Sequence, residues 1–225
     1  IGAVIPTLLE YPGSALVLDI KGENYAVTSR ARRNMGHEVY LIDPFQVTGN
    51  AGASFNPLDM LDLNSPDAVG QVAALVETLV VTGASQDDSS AHFNDSAKDL
   101  IKGVIVYVKN MKDPSRRTLG EMRRILSLPL QAEGDTESIA RHLGVMQSDP
   151  SLAHGIPARS ANGFLSKESR EASGVLSTAL RHTSFLDDPR IATALSKSDF
   201  SFADLKRKPM TVYVVMPPDR LAAQV

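Results

Sequence analysis

Two short apolar runs in this chain each stop at an aspartate: Ala15-Leu16-Val17-Leu18 before Asp19, and Glu38 to Ile42 before Asp43. Runs of this length, without polar alternation, fit strands buried on both faces. Between them, residues 24 to 35 carry a helical pattern. Arg30, Arg32 and Arg33 fall late in it, where cations suit the helix dipole, and Gly36 supplies a stop. Strand, helix, strand in that order implies a parallel βαβ unit, because two parallel strands need a crossover between them. Ahead of the first run, Ala3 to Leu9 is apolar and ends at the turn signal Tyr11-Pro12-Gly13.

The rhythm then breaks. Residues 46 to 64 form an irregular connector with Gly49, Gly52 and Asn56-Pro57. Ser65-Pro66-Asp67 reads as an N-cap with a first-turn proline and acid, followed by Val69, Val72, Leu75, Val76 and Leu79 at helical spacing. After a polar loop from Gly83 to Ser90, an apolar stripe of Phe93, Ala97, Leu100, Ile101, Val104, Ile105 and Val108 marks the strongest helix. Thr118-Leu119-Gly120-Glu121 fits a capping box, and Asp135-Thr136-Glu137 is expected to open a further helix. Helical pattern resumes from Ala161 to Leu180. The chain returns to a β-prone run, Met210 to Val215, stopped by Pro217-Pro218. The expected architecture is α/β, with a sheet interrupted by a helical insertion: residues 1–64, then helices over 65–165, then a return over 166–225. One mixed domain without a separable insert is the alternative.

With 225 residues, 43% hydrophobic and a net charge of −3, the chain is globular in composition and far from a histone-like polycation. It has no cysteine, so disulfide frameworks and thiolate metal sites are excluded. No apolar run approaches the roughly 18 residues of a membrane helix. None of the seven methionines is the first residue, and both ends are apolar, which leads to the expectation of a piece of a longer protein.

Ligands of open parallel sheets bind outside the carboxyl ends of strands, where Asp19 and Asp43 stand. A carboxylate there can hold Mg²⁺, and equally it can start a turn or cap a helix. An α/β enzyme working with this pair is one possible use. Asp19-Ile20-Lys21-Gly22-Glu23 is the sharper signal, since Lys21 can reach a phosphate and Gly22 permits a close backbone approach. A solvated turn has the same composition. No Gly-Lys dipeptide occurs, so these residues contain no P-loop. His37, His92, His142, His154 and His182 are scattered without metal-ligand spacing, and no Gly-x-Ser-x-Gly elbow is present. Lys109, Lys112, Arg116, Arg117, Arg123 and Arg124 make a locally basic stretch that can meet nucleic-acid phosphates, though without interleaved aromatics for stacking. A solvated helix face reads the same way.

Several segments together resemble the type IV secretion coupling proteins, the TraG/TraD-like ATPases of conjugation and effector export. They are Ile1 to Leu9, Gly13 to Glu23 with its Asp-x-Lys-Gly-Glu turn, Ser54-Phe55-Asn56-Pro57-Leu58-Asp59, Phe93 to Leu100, Glu171 to Ala179 and Val212 to Asp219. The resemblance implies a RecA-like P-loop NTPase sheet interrupted by an all-α domain. It implies a homohexameric motor on the cytoplasmic side of the bacterial inner membrane, its anchor outside these residues. ATP and Mg²⁺ are the implied cofactors. The implied partners are a relaxase–DNA complex or effector and adaptor proteins, secretion channel components and DNA. The Walker A loop would end just before Ile1 and the Walker B strand would follow Val225, so this chain alone should neither hydrolyse ATP nor bind it tightly. Asp19, Lys21 and Glu23 are the residues carried over to the neighbourhood of the nucleotide. A non-enzymatic helical module that docks substrates or adaptors is the other reading.

Overall fold

The computed structural model describes residues 2–81, 88–134 and 136–218. The chain divides into two compact units, one of residues 1–56 with 193–225, the other of residues 57–192.

The first unit holds α1 (Val4–Glu10), β1 (Ala15–Asp19), α2 (Glu23–Asn34), β2 (Glu38–Ile42) and the late strand β3 (Met210–Val215). All pairing is parallel and the strand order is β1-β3-β2. The two strands of the expected βαβ unit are therefore not neighbours. The last strand lies between them, with Val214 opposite both Leu18 and Ile42. Its residues explain the position: Thr211, Val212, Tyr213 and Val215 are β-branched or aromatic and fully buried, as a central strand demands.

One face of the sheet is covered by α1 and α2, giving a cluster of Leu8, Val17, Leu41, Tyr213 and Val215 with Tyr25 against it. Burying each such aliphatic side chain stabilises the fold by about 1.5–3 kcal/mol. The other face packs Phe200, Met210 and Val212 against Tyr40, Ile42, Phe55 and Phe202. That second cover lies over β2 and β3 and does not extend across β1. Leu16 and Leu18 are consequently 58% and 59% exposed, and β1 is not the doubly buried strand its composition suggests.

The second unit begins with a 3-10 turn, Pro57–Met60, and its described elements are helical. They are α3 (Ala68–Leu79), α4 (Asp88–Lys109), α5 (Leu119–Leu126), α6 (Ile139–Gln147), α7 (Ile156–Leu165) and α8 (Ser169–His182). A short α9 (Pro189–Ala194) runs across the seam. α4 is the hub, packed by α3, α5, α7 and α8. Being surrounded, it buries Val106 as well as the expected stripe from Ala97 to Val108, while Phe93 at the head of the stripe is only half-buried. Gly103 lets α7 approach closely, since a β-carbon there would lie 2.4 Å from Cβ of Ser160.

Local capping follows the sequence with small shifts. Thr118 accepts the Glu121 N–H at 3.1 Å, but the Glu121 carboxylate turns to Arg116 and Arg124 instead of completing the box. Asp67 replaces Ser65 as the α3 N-cap, while the Ser65 hydroxyl accepts the Asp67 N–H. Ser138 caps α6 through the Arg141 N–H, so that helix opens later than Asp135-Thr136-Glu137 suggests. Asp135 and most of the expected 83–90 loop lie outside the described residues, and the chain is helical from Asp88. The seams fall at Asn56–Pro57 and Ala192–Thr193 rather than at 64/65 and 165/166. α8 stays with the helices because Ala172, Val175 and Ala179 are buried on the side it presents to α4 and α5.

Candidate functional site

The carboxyl ends of β1 and β2 bring their two following loops together. Asp19, almost fully buried, accepts the backbone N–H of Tyr25 at 2.8 Å and the side-chain amide of Asn24 at 3.3 Å. It caps the first turn of α2, whose own N-cap, Gly22, has no side chain to do so. Asp43 is equally buried. It accepts the N–H groups of Val47 and Thr48 at 3.0 and 2.8 Å and the Thr48 hydroxyl at 2.8 Å. Both strand-end acids therefore organise the loops that follow them, each by accepting from backbone N–H and from one neighbouring side chain.

Gly22 joins the two loops. Its φ of 73° is in the left-handed region, and a β-carbon would lie 2.5 Å from Cγ2 of Thr48. On either side of it, Lys21 and Glu23 are exposed and make no hydrogen bond or ion pair among the described residues. Of the three residues carried over to a nucleotide neighbourhood, Asp19 builds the turn, while Lys21 and Glu23 stand free on its rim. No three His, Asp or Glu side chains converge on a metal-sized space among the described residues. With no Gly-Lys cradle in the sequence, the residues present do not make a phosphate site by themselves. They supply an exposed cation and an exposed carboxylate at the carboxyl end of β1.

Arg32 is the residue that sequence reasoning misplaced. Expected only as a cation that suits the helix dipole, it is fully buried. Nε donates to the Thr211 hydroxyl at 2.9 Å. One terminal nitrogen donates to the carbonyls of Leu8 and Tyr11, and the other to the Gly13 carbonyl at 2.5 Å and to Nδ1 of His37 at 3.2 Å. His37, also buried, donates from Nε2 to the Pro12 carbonyl at 3.1 Å, which leaves Nδ1 to accept from Arg32. Burial, and then the charge of Arg32, push the His37 imidazole below its ordinary pKa, so it is held neutral. Burial also lowers Arg32. The effect is to pin the end of α1 and the Tyr11–Gly13 turn to the sheet, which fixes where β1 starts. No sequence signal marks this, because Arg32 and Thr211 are brought together only by the strand order.

The basic stretch of the second unit is largely answered by acids. Lys109 lies 3.7 Å from Asp59. Arg116 bonds Glu121 through Nε at 3.0 Å, and Arg117 donates to the Met111 carbonyl at 2.7 Å. Arg123 holds Asp187 at 2.5 and 2.8 Å and also reaches the Leu180 carbonyl and the Thr183 hydroxyl. Arg124 bridges Glu121 and Glu137, and Glu137 continues to His142 at 2.8 Å. Hydrogen bonds from Arg124 hold the Glu137 carboxyl down at about 2. Burial opposes ionisation of Glu121, but Arg124 and Arg116 outweigh it and its pKa is lowered. Lys112 is exposed and has no partner among the described residues.

Comparison with known proteins decides the family. The family model for type IV secretory system conjugative DNA transfer proteins matches residues 1–225. The chain belongs to that family. Among its relatives, the conjugal transfer protein TraG of Escherichia coli is 30% identical over 97% of this chain and 34% of its own length. Protein VirD4 of Agrobacterium fabrum is 27% identical over 98% of this chain and 31% of itself. The type IV secretion system-coupling protein VirD4 of Bartonella quintana is 27% identical over 95% and 33%. This conjugative-transfer family member thus spans about a third of the length of the curated relatives it matches. Among its described residues, no helix is long and apolar enough to cross a membrane.

Proposed function

We propose that this chain is the part of a type IV coupling ATPase that joins a nucleotide-binding sheet to a substrate-facing helical domain. In that reading the three parallel strands belong to a RecA-like sheet and residues 57–192 are its all-α insertion. The whole protein works as a hexamer on the cytoplasmic side of the inner membrane. It uses ATP and Mg²⁺ to drive transfer of a relaxase–DNA complex or an effector protein into a secretion channel. The observation that carries the reading is the placement of Lys21 and Glu23. They are exposed and unpartnered at the carboxyl end of β1, in a chain aligned almost end to end with secretion coupling proteins. Lys21 is suited to meet a phosphate of a neighbouring nucleotide, and Glu23 to orient water near it.

The test compares ATP hydrolysis by the complete protein with that of its Lys21→Ala, Glu23→Gln and Asp19→Ala variants. Lys21→Ala and Glu23→Gln should slow hydrolysis at unchanged melting temperature, because surface side chains without partners contribute within about 0.5 kcal/mol. Asp19→Ala should instead lower the melting temperature through loss of a helix cap worth about 1 kcal/mol. The 225-residue chain alone should be inactive. Full hydrolysis by both Lys21→Ala and Glu23→Gln would remove them from the nucleotide site.

The compactness of residues 57–192 favours a second reading, a helical module that docks transfer substrates or adaptors without chemistry of its own. A complete protein that supports transfer but hydrolyses no ATP would select it.

A further inference from the structure

The second unit contains a cleft of about 330 Å³ between α3 and α7, floored by α4. Its bottom is apolar, made by the buried side chains of Leu100, Ile156 and Phe164. Its rim is cationic, with Lys102, Arg159 and Lys167 against one acid, Asp99. Two of the cations are already engaged: Lys102 pairs with Asp99 at 2.5 Å and Lys167 with Glu171 at 2.5 Å. Arg159 differs. It is exposed, it donates once, to the His154 carbonyl at 2.5 Å, and it has no carboxylate among the described residues. Most of its planar fork is left for an acceptor with two oxygens.

Two further observations point to an occupant. Ser160 is only 8% exposed, lines the cleft, and its hydroxyl has no hydrogen-bond partner among the described residues. No fully buried side-chain oxygen or nitrogen among the described residues lacks a partner, so this hydroxyl is not sealed in the core but opens into the cleft, where it can meet an occupant. Beside it, Gly163 sits within the α7 helix, where glycine costs about 1 kcal/mol relative to alanine. No neighbour requires it, for there is nothing within 4 Å of where its β-carbon would stand. Its absence of a side chain leaves the cleft open.

We propose that this cleft binds a short peptide segment carrying a carboxylate next to an apolar side chain. The apolar side chain fills the space over Leu100, Ile156 and Phe164. The carboxylate takes the Arg159 fork and the Ser160 hydroxyl. Charge complementarity selects an acidic segment. The opening past exposed Arg159 and Gly163 suits a projecting piece of a polypeptide better than an enclosed small molecule, which would need most of its surface covered. This deepens the docking reading of the helical unit by naming the chemistry of the partner, and it does not depend on nucleotide.

The test is titration of the 225-residue chain with acetyl-Ser-Glu-Leu-Leu-amide and its Gln counterpart, followed by NMR chemical shifts. The Glu peptide should shift α4 and α7 resonances and bind at least roughly tenfold tighter than the Gln peptide. Arg159→Gln should erase that preference, and Gly163→Leu should weaken both peptides by filling the cleft. Circular dichroism of each variant establishes that it is folded. Equal binding of the two peptides, no binding at millimolar concentration, or unchanged binding by Gly163→Leu would overturn the proposal. Displacement of the Glu peptide by a single-stranded oligodeoxynucleotide of matched charge would overturn it too, marking a general polyanion surface. ATP hydrolysis is measured separately, so failure here and failure of the motor reading are distinguishable.

Discussion

Arg32 and Thr211 stand 179 positions apart in the chain and share a buried hydrogen bond, Nε to hydroxyl, at 2.9 Å. Through this bond the second helix grips the last strand, while three further donations from the same guanidinium hold the segment leading into the first and a fourth meets His37. Arg32→Met should cost about 3–5 kcal/mol, because a buried arginine's removal strands several acceptors at once. Arg32→Lys should recover little, since an ammonium cannot reproduce the planar fork. Urea denaturation of the two variants checks this. A loss below about 1 kcal/mol for Arg32→Met would mean that water satisfies those carbonyls.

Gly22 and Thr48 are the contact between the two strand-end loops. Gly22→Ala must accept both a positive φ and a methyl group 2.5 Å from Cγ2 of Thr48. A destabilisation of about 1–3 kcal/mol is expected. Thr48→Ser removes the offending methyl while keeping the hydroxyl that donates to Asp43. The double variant should therefore regain the steric part of the loss and retain the backbone part. Simple additivity of the two single variants in a double-mutant cycle would show that the loops do not touch in solution.

The neutral His37 sets a pH dependence. Its folded pKa is lowered by burial and by Arg32, whereas an unfolded histidine titrates near about 6.5. Below that value the unfolded chain binds a proton that the folded chain refuses, so stability falls as pH falls. His182, lowered by burial and then by Arg181, adds to the same window. The melting temperature should be level above about pH 6.5 and should decline steadily below it. His37→Gln should flatten the decline between pH 6.5 and 5, ahead of the carboxylate range at about 4. A melting temperature that rises on acidification through this range would contradict the assignment.

Charge pairing in the second unit limits what the basic stretch can do with nucleic acid. Of the six cations from Lys109 to Arg124, five are hydrogen-bonded or ion-paired, and Lys112 stands free among the described residues. The stretch itself should therefore contribute only about −1 to the log–log salt slope of duplex DNA binding, read as the change in slope on Lys112→Ala, as one displaced counterion gives. A slope that becomes shallower by about 4 when Arg116, Arg117, Arg123 and Arg124 are changed to Ala together would require the ion pairs to open on DNA.

The elements were legible where local chemistry decides them. The α4 stripe, the Thr118 cap and the β-branched run of β3 are each written into a few consecutive residues. What stayed hidden depends on strand order. Nothing in Leu16 or Leu18 reveals that β1 lies at the edge of the three strands, and nothing in Arg32 reveals that Thr211 comes to lie beside it. At the candidate site, Lys21, Gly22 and Glu23 were readable as a turn after a strand, since a glycine between charged residues has few other uses. The capping role of Asp19 was one of two readings until the Tyr25 N–H was found on its carboxylate. The cleft left a single trace, the unexplained glycine at position 163. Its floor residues looked like any other helical core.

β1 offers its outer rim of backbone groups unpaired among the described residues, beneath two projecting leucines. Such a strand is a template for any extended chain that drifts past. The storage behaviour of this chain will follow from that rim rather than from its global stability. Concentrated samples should turn cloudy with a growing β signal while the helices remain intact. A lysine placed at Leu16 would slow the process without loosening the core.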